Sequence, residues 1–263
     1  MKIIHQIWFQ GQDNIPEKYI PYIDSVKINN KDFEYILWDD TSLQQLAKMY
    51  SHECYIKYIN YTFMHQKIDL GRYLALYFYG GISIDMDMYC TLHLSDIYDS
   101  IDKKYELAVS KLPTTSLFQY AYNGFKKCIN NAVILSFRKR SMILDDLIDN
   151  ILKQTCVQDE SSFSCIHKTT GPDFFTTIIN KYKNIYIFES GIIETPCFDK
   201  IEMCVDDKKT LYHAYEHSWM PVYISKFFKY YSKYNQFYLF DIIALCIISF
   251  LLYKVIARFC QIK

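Results

Sequence analysis

The chain has 263 residues, 51% of them apolar and 22% charged, which is enough for a sizeable core and too apolar for wholesale disorder. Lys plus Arg and Asp plus Glu balance at 29 each, which argues against a dedicated nucleic-acid binder, since such proteins carry a basic excess. Seven glycines and six prolines exclude a collagen-like or low-complexity chain.

In chain order, residues 2–9 are predicted as a first strand, apolar at Ile3, Ile4, Ile7 and Trp8. A helix follows Pro16, because proline is favoured in a first helical turn. Residues 33–38 form a second apolar strand, closed by Asp39-Asp40-Thr41, which cap a helix over 42–50. A long helical pattern over 65–79 stops at Gly80-Gly81, as a C-terminal cap would. Residues 82–89 read as the next strand. A strand near 107–110, helices near 140–153 and 173–181, and a strand at 185–189 complete the pattern. Alternation of this kind predicts an α/β sheet with helices on both faces.

Residues 237–259 are about as long as the ~20 residues that cross a bilayer, are apolar on every face, and have Tyr and Lys or Arg at the ends. A membrane anchor is the preferred reading, with a buried core helix as the alternative. The domain plan is thus 1–225 for the folded domain, 226–236 for a basic and aromatic linker, and 237–259 for the anchor. Basic residues flank the span on both sides, so charge does not set its orientation. Nine cysteines are scattered and contain no C-x-x-C, so metal spacing is absent. They read as free thiols in a reducing compartment, with Cys197 and Cys204 as core or loop thiols. The opening residues lack a secretory-type apolar stretch, and the folded domain is expected on the cytosolic side of its membrane.

The chemistry concentrates in residues 65–89. Strand alternation predicts Ser83, Asp85 and Asp87 on one face, with the two carboxylates about 6–7 Å apart. A hard divalent cation relieves the repulsion of such a pair, and oxygen ligands suit Mg²⁺ or Mn²⁺. Asp69 and Arg72 are three apart and share a helix face, either as a surface pair worth under ~1 kcal/mol or as joint ligand contacts. The Gly80-Gly81 turn folds that helix back onto the strand, so the charges of both elements converge on one pocket. His213 and His217, four apart, would share one helix face.

The run Asp69-x-x-Arg72, then Gly80-Gly81-Ile-x-x-Asp85-x-Asp87, resembles the glycosyltransferases with a DXD-containing sugar-binding region. That group includes fungal initiating α-1,6-mannosyltransferases and catalytic subunits of mannosyl inositol phosphorylceramide synthases, with clostridial glucosylating toxins as distant relatives. The opening strand with Trp8, the segment Asn130-Asn131-Ala132, the turn Thr170-Gly171-Pro172 and the closing His213-to-Ser218-Trp219 motif also resemble the family, in order along about 220 residues. One departure is Ile68, where the family usually has Ser.

The resemblance implies an α/β fold of GT-A type, a Rossmann-like nucleotide-sugar-binding domain, here with the C-terminal transmembrane helix. It implies a metal-dependent transferase moving a mannose- or glucose-type hexose from a UDP- or GDP-sugar donor, with retention, to a glycan, lipid or protein acceptor. In that scheme Trp8 stacks on the base, and Asp69 and Arg72 serve the donor sugar and phosphates. Asp85 and Asp87 work at the ribose and the metal, with Mn²⁺ or Mg²⁺ as the ion. His213 and Ser218 close over diphosphate and metal, and Trp219 packs beside the donor. Asn131 touches the donor sugar, with Asn130 an equal candidate in register. Two other readings are a metal-dependent phosphoesterase, for which further His and Asp ligands are missing, and a non-catalytic sugar-nucleotide-binding membrane protein.

Overall fold

In the computed structural model, which describes residues 2–112, 128–158, 160–216, 223, 226, 229–231, 233 and 242–250, strand β1 (Ile3–Ile7) is flanked in parallel by two others. They are β2 (Glu34–Trp38) and β3 (Gly81–Ile84). Beyond β3 the sheet turns antiparallel, through β6 (Ile129–Ser136) to β5 (Leu107–Lys111), and β7 (Ile185–Phe188) pairs in parallel with β5. The strand order is β2-β1-β3-β6-β5-β7, a mixed sheet. A smaller sheet runs β4-β9-β8, with β4 (Met88–Cys90) antiparallel to β9 (Leu211–His213) and β8 (Glu194–Pro196) parallel to it.

Helices cover both faces of the large sheet, and the strands alternate between them. On β6, Ile134 joins the core on one face while Val133 and Leu135 join the other. The first face receives α2 (Asp40–Tyr50), α4 (Met64–Tyr79), α6 (Met142–Leu152) and α8 (Pro172–Ile179), through Leu43, Leu74, Leu147 and Phe175. The second receives α1 (Ile20–Asn29) and α5 (Leu94–Ser100), through Val26 and Tyr98. The predicted α/β layering is therefore present.

Local signals explain the boundaries. Asp39 accepts from Ser42 N while the Ser42 hydroxyl returns to Asp39 N, a complete capping box at the predicted start of α2. Helix α4 ends at Gly80, and β3 begins at Gly81 with φ 90°, where a Cβ would overlap the Ile3 carbonyl oxygen of β1. A helix not anticipated from sequence, α3 (His52–Ile59), follows α2 directly, its start capped by Ser51.

Three expectations are corrected. The strand predicted over 82–89 is two strands in different sheets: β3 stops at Ile84, the chain turns at residues 86–87, and β4 resumes against β9. Asp85 and Asp87 therefore lie in the connection between the two strands, not on one face of a strand. Second, Cys156–Cys165 and Cys197–Cys204 are disulfides, against the free-thiol reading. The first links the approach to α7 (Ser162–Thr169) to that helix, and the second closes over α9 (Ile201–Cys204). Cys54, Cys90 and Cys128 are free and buried. Third, among the described residues no helix is long and apolar enough to cross a membrane, so the transmembrane expectation lacks support there. Of the 237–259 segment, residues 242–250 are helical and exposed, and the remainder lies outside the described residues.

By internal contacts the chain divides into Met1–Pro113 with Cys128–Met220, and Thr114–Lys127 with Pro221–Lys263. Both sheets and all the elements named above belong to the first unit. In the second, the described residues are helical.

Candidate functional site

The end of β3 gathers the site. Because β1 runs parallel to β3, Trp8 leaves the sheet at the same edge as Asp85. Because β6 runs antiparallel, its first residues arrive there too: Asp85 N donates to Ala132 O at 3.0 Å. Gln6 on β1 donates from Nε2 to Asp85 O at 3.1 Å, and its Oε1 accepts from the Tyr35 hydroxyl at 2.8 Å. Ligand crevices of open α/β sheets lie at such carboxyl ends of strands.

Helix α4 supplies the next layer. Asp69 and Arg72 are buried, not a surface pair. Arg72 Nη1 donates to Asp85 Oδ1 and to Asn131 O, both at 2.6 Å, and Nε lies 3.5 Å from Asp69 Oδ1. That buried Nε makes no hydrogen bond among the described residues. Asp69 accepts from Asn131 Nδ2 and from the Thr170 hydroxyl, each at 3.0 Å. Burial pushes the Asp69 carboxyl up, opposed by Arg72 and the Thr170 hydrogen bond. Arg72 is pushed up because Asp85 and Asp69 outweigh the burial that would lower it.

Adjacent asparagines on β6 point to opposite faces. Asn131 reaches Asp69 and the Tyr73 hydroxyl on α4. Asn130 reaches the other way, to both oxygens of Glu194 on β8 at 2.8 Å.

The second sheet closes the site from the far side. Pairing of β4 with β9 sets Met88 opposite His213, one residue past Asp87. His213 is therefore a strand residue, and the helix-face spacing with His217 does not apply; His217, Ser218 and Trp219 lie outside the described residues. His213 Nε2 faces Asp87 Oδ1 at 3.4 Å, and Nδ1 meets Glu194 Oε1 at 2.7 Å. Asp87 Oδ2 accepts from Glu216 N at 2.9 Å.

Asp85, Asp87 and His213 each offer one ligand atom, all within 4.8 Å of one another, a candidate cation site. Withdrawal from water pushes the Asp85 carboxyl up to about 6, with Arg72 opposing and Asp87 adding to it. For Asp87 burial acts upward too, but His213 and the Glu216 N–H hold the carboxyl well below the usual range. Burial would lower His213, yet Asp87 and Glu194 raise it to about 10. The donor set of two carboxylates and an imidazole fits a divalent cation, and the imidazole suits Mn²⁺ better than all-oxygen Mg²⁺.

Trp8 is half-buried in an apolar cluster with Tyr19, Ile23 and Met86, the residue between the two aspartates. Its ring centroid is 5.0 Å from that of Tyr19, and its Nε1 donates to Asn14 O at 3.0 Å. Sequence reasoning missed Glu194, Tyr215, Thr170 as a partner of Asp69, and Tyr73. For Thr170 the neighbouring Gly171-Pro172 turn was the available signal; a lone Glu194 offers none.

Residues 16–108, which include Asp69, Arg72, Asp85 and Asp87, match the family model described as the glycosyltransferase sugar-binding region containing DXD motif. The chain is 37% identical over 95 residues to a glycosyltransferase of Acanthamoeba polyphaga mimivirus, covering 36% of this chain and 38% of that protein. It is 34% identical over 96 residues to inositol phosphoceramide mannosyltransferase 3 of Schizosaccharomyces pombe, covering 36% and 26%. The chain therefore matches well under half the length of either relative. Among solved structures it is similar to the PaToxG glycosyltransferase, at 18% identity, TM-score 0.49, and coverage of 68% and 69%. The resemblance read from the DXD run thus holds over the matched region.

Proposed function

We propose that the chain is a metal-dependent glycosyltransferase of GT-A type, moving a mannose- or glucose-type hexose from a UDP- or GDP-sugar to an acceptor hydroxyl with retention. The observation that carries this reading is the Asp85, Asp87 and His213 cluster abutting the buried Asp69–Arg72 pair. A phosphoesterase reading leaves that pair and Trp8 without a task. The match over residues 16–108 supports transfer rather than hydrolysis.

In this reading Asp85, Asp87 and His213 hold the ion, which supplies positive charge against the departing diphosphate. Arg72 orients Asp85 and lends its positive charge to the donor's sugar or phosphates. Asp69 is fixed by Asn131 and Thr170 and accepts from donor hydroxyls, while the Trp8 indole presents a flat face to the base. Ser218 is proposed to close over the diphosphate and Trp219 to pack beside the donor, both lying outside the described residues. The bond from the anomeric carbon to the diphosphate opens toward an oxocarbenium-like carbon, the acceptor oxygen attacks from the leaving-group side, and its proton passes to the departing diphosphate oxygen.

Turnover of a panel of UDP- and GDP-hexoses, with and without Mn²⁺, tests the reading. Asp87→Asn is expected to lower metal-stimulated turnover by ~10²-fold or more, the scale of losing one charge-stabilising group. Undiminished turnover in that variant refutes it.

The 237–259 segment remains our proposed membrane anchor, which would favour a membrane-proximal acceptor. The proposal rests on the length and apolar character of that sequence, of which Ile242, Ile243, Leu245, Ile247, Ile248 and Phe250 are exposed on helical backbone. The two disulfides support an oxidising compartment for the folded domain, in place of the cytosolic expectation.

A further inference from the structure

The cation site is braced from behind by a group that neither the motif nor the matched region contains. Glu194 on β8 is completely buried, and four polar contacts converge on its carboxylate. Asn130 Nδ2 donates to both oxygens at 2.8 Å, the Tyr215 hydroxyl donates to Oε1 at 2.7 Å, and His213 Nδ1 meets Oε1 at 2.7 Å. The fixed carboxylate requires a proton on Nδ1, which leaves Nε2, the nitrogen facing Asp87, as the only ring atom available to a metal.

Tyr215 strengthens the arrangement. It is a non-glycine residue with φ 48°, in the left-handed region that non-glycine residues rarely adopt. That conformation folds the chain back so that the phenol ring stacks on His213, with centroids 3.8 Å apart and planes 19° apart. The same turn delivers the Glu216 N–H to Asp87 Oδ2 at 2.9 Å. One locally strained residue therefore orients the imidazole, anchors Glu194 and positions a carboxylate ligand.

We infer that Glu194, clamped by Asn130 and Tyr215, is a positioning residue for the metal: it fixes the tautomer and ring plane of His213 so that Nε2 completes the site with Asp85 and Asp87. This rests on the metal-dependent reading above. Carboxylate partners behind metal-bound histidines fix the ring and raise its basicity, and their loss costs 10- to 100-fold in metal affinity in general. A purely structural role, satisfying buried polar groups between the two sheets, would instead show as lost stability with unchanged metal affinity.

The test is Mn²⁺ affinity of the full chain, read by electron paramagnetic resonance of free Mn²⁺ without any donor sugar, beside thermal unfolding. Glu194→Gln is expected to weaken Mn²⁺ binding about 10- to 100-fold. Tyr215→Phe, which keeps the ring stack and removes one hydrogen bond, is expected to weaken it by a smaller factor while remaining folded. If Glu194→Gln does not fold, Tyr215→Phe decides alone. Wild-type Mn²⁺ affinity in whichever variants fold overturns the inference. Absence of Mn²⁺ binding by the wild-type chain instead removes the metal reading itself, and this inference with it.

Discussion

His5 shows how one buried side chain ties fold to pH. It sits on β1, fully buried, with Nε2 donating to Gly80 O at 2.8 Å and Nδ1 accepting from Trp38 Nε1 at 3.1 Å. Those partners fit one neutral tautomer, and a second proton would have no acceptor. Burial accordingly lowers His5 to about 4, with the Gly80 hydrogen bond opposing. The folded state therefore binds fewer protons than the unfolded state between about pH 6.5 and 4, so its stability falls as pH falls through that window. From pH 7 to pH 5 the loss is about 2 kcal/mol for this residue. His65 is lowered in the same way and His213 shifts oppositely, so the comparison must be differential. Urea unfolding at both pH values should show wild type losing about 2 kcal/mol more than His5→Gln; equal losses would remove His5 as the cause.

At the level of elements, the junction of α4 and β3 decides whether the site exists. Gly81 combines positive φ with contact against the Ile3 backbone, so Gly81→Ala meets both torsional strain and an overlap that only strand movement relieves. Gly71, inside α4, would set a Cβ against the Leu43 side chain at 2.7 Å, and a leucine can shift where a carbonyl in a ladder cannot. Gly81→Ala is expected to cost ~3 kcal/mol, and Gly71→Ala less. A thermal-unfolding series in which the order is reversed would contradict this. The same junction shows what was legible in advance. Helix α4, its glycine stop and the capping box of α2 follow from local chemistry, and local chemistry is visible in sequence. The break after Ile84 is not, because β4 is drawn away by pairing with β9, more than 120 residues later. The Asp69–Arg72 convergence on Asp85 was readable from spacing and a turn. Glu194 was not, since only the pairing of β8 with β9, which sets Glu194 opposite Leu211, lets its carboxylate reach His213 two residues further on.

For the whole molecule, the disulfides and the apolar 242–250 helix make a joint claim about where the folded domain resides. The linked cysteines are 9 and 7 residues apart, short loops worth about 2.5 kcal/mol each on a chain-entropy estimate. For a domain of roughly 200 residues, each kcal/mol moves the unfolding midpoint by ~2–4 °C. Reduction should therefore lower it by roughly 10 °C or more, a large share of a typical margin of stability. A domain that depends on these links would be poorly maintained where glutathione reduces them. The prediction has two coupled parts. In membranes from expressing cells, the full chain should resist alkaline extraction, while a chain lacking 237–263 should be released in soluble form. Peptide maps of both, prepared without reductant, should contain the 156–165 and 197–204 linked pairs. Linked pairs in a chain that alkali extracts freely would separate the two claims and retire the anchor. Fully reduced cysteines in a membrane-held chain would instead return the domain to a reducing compartment.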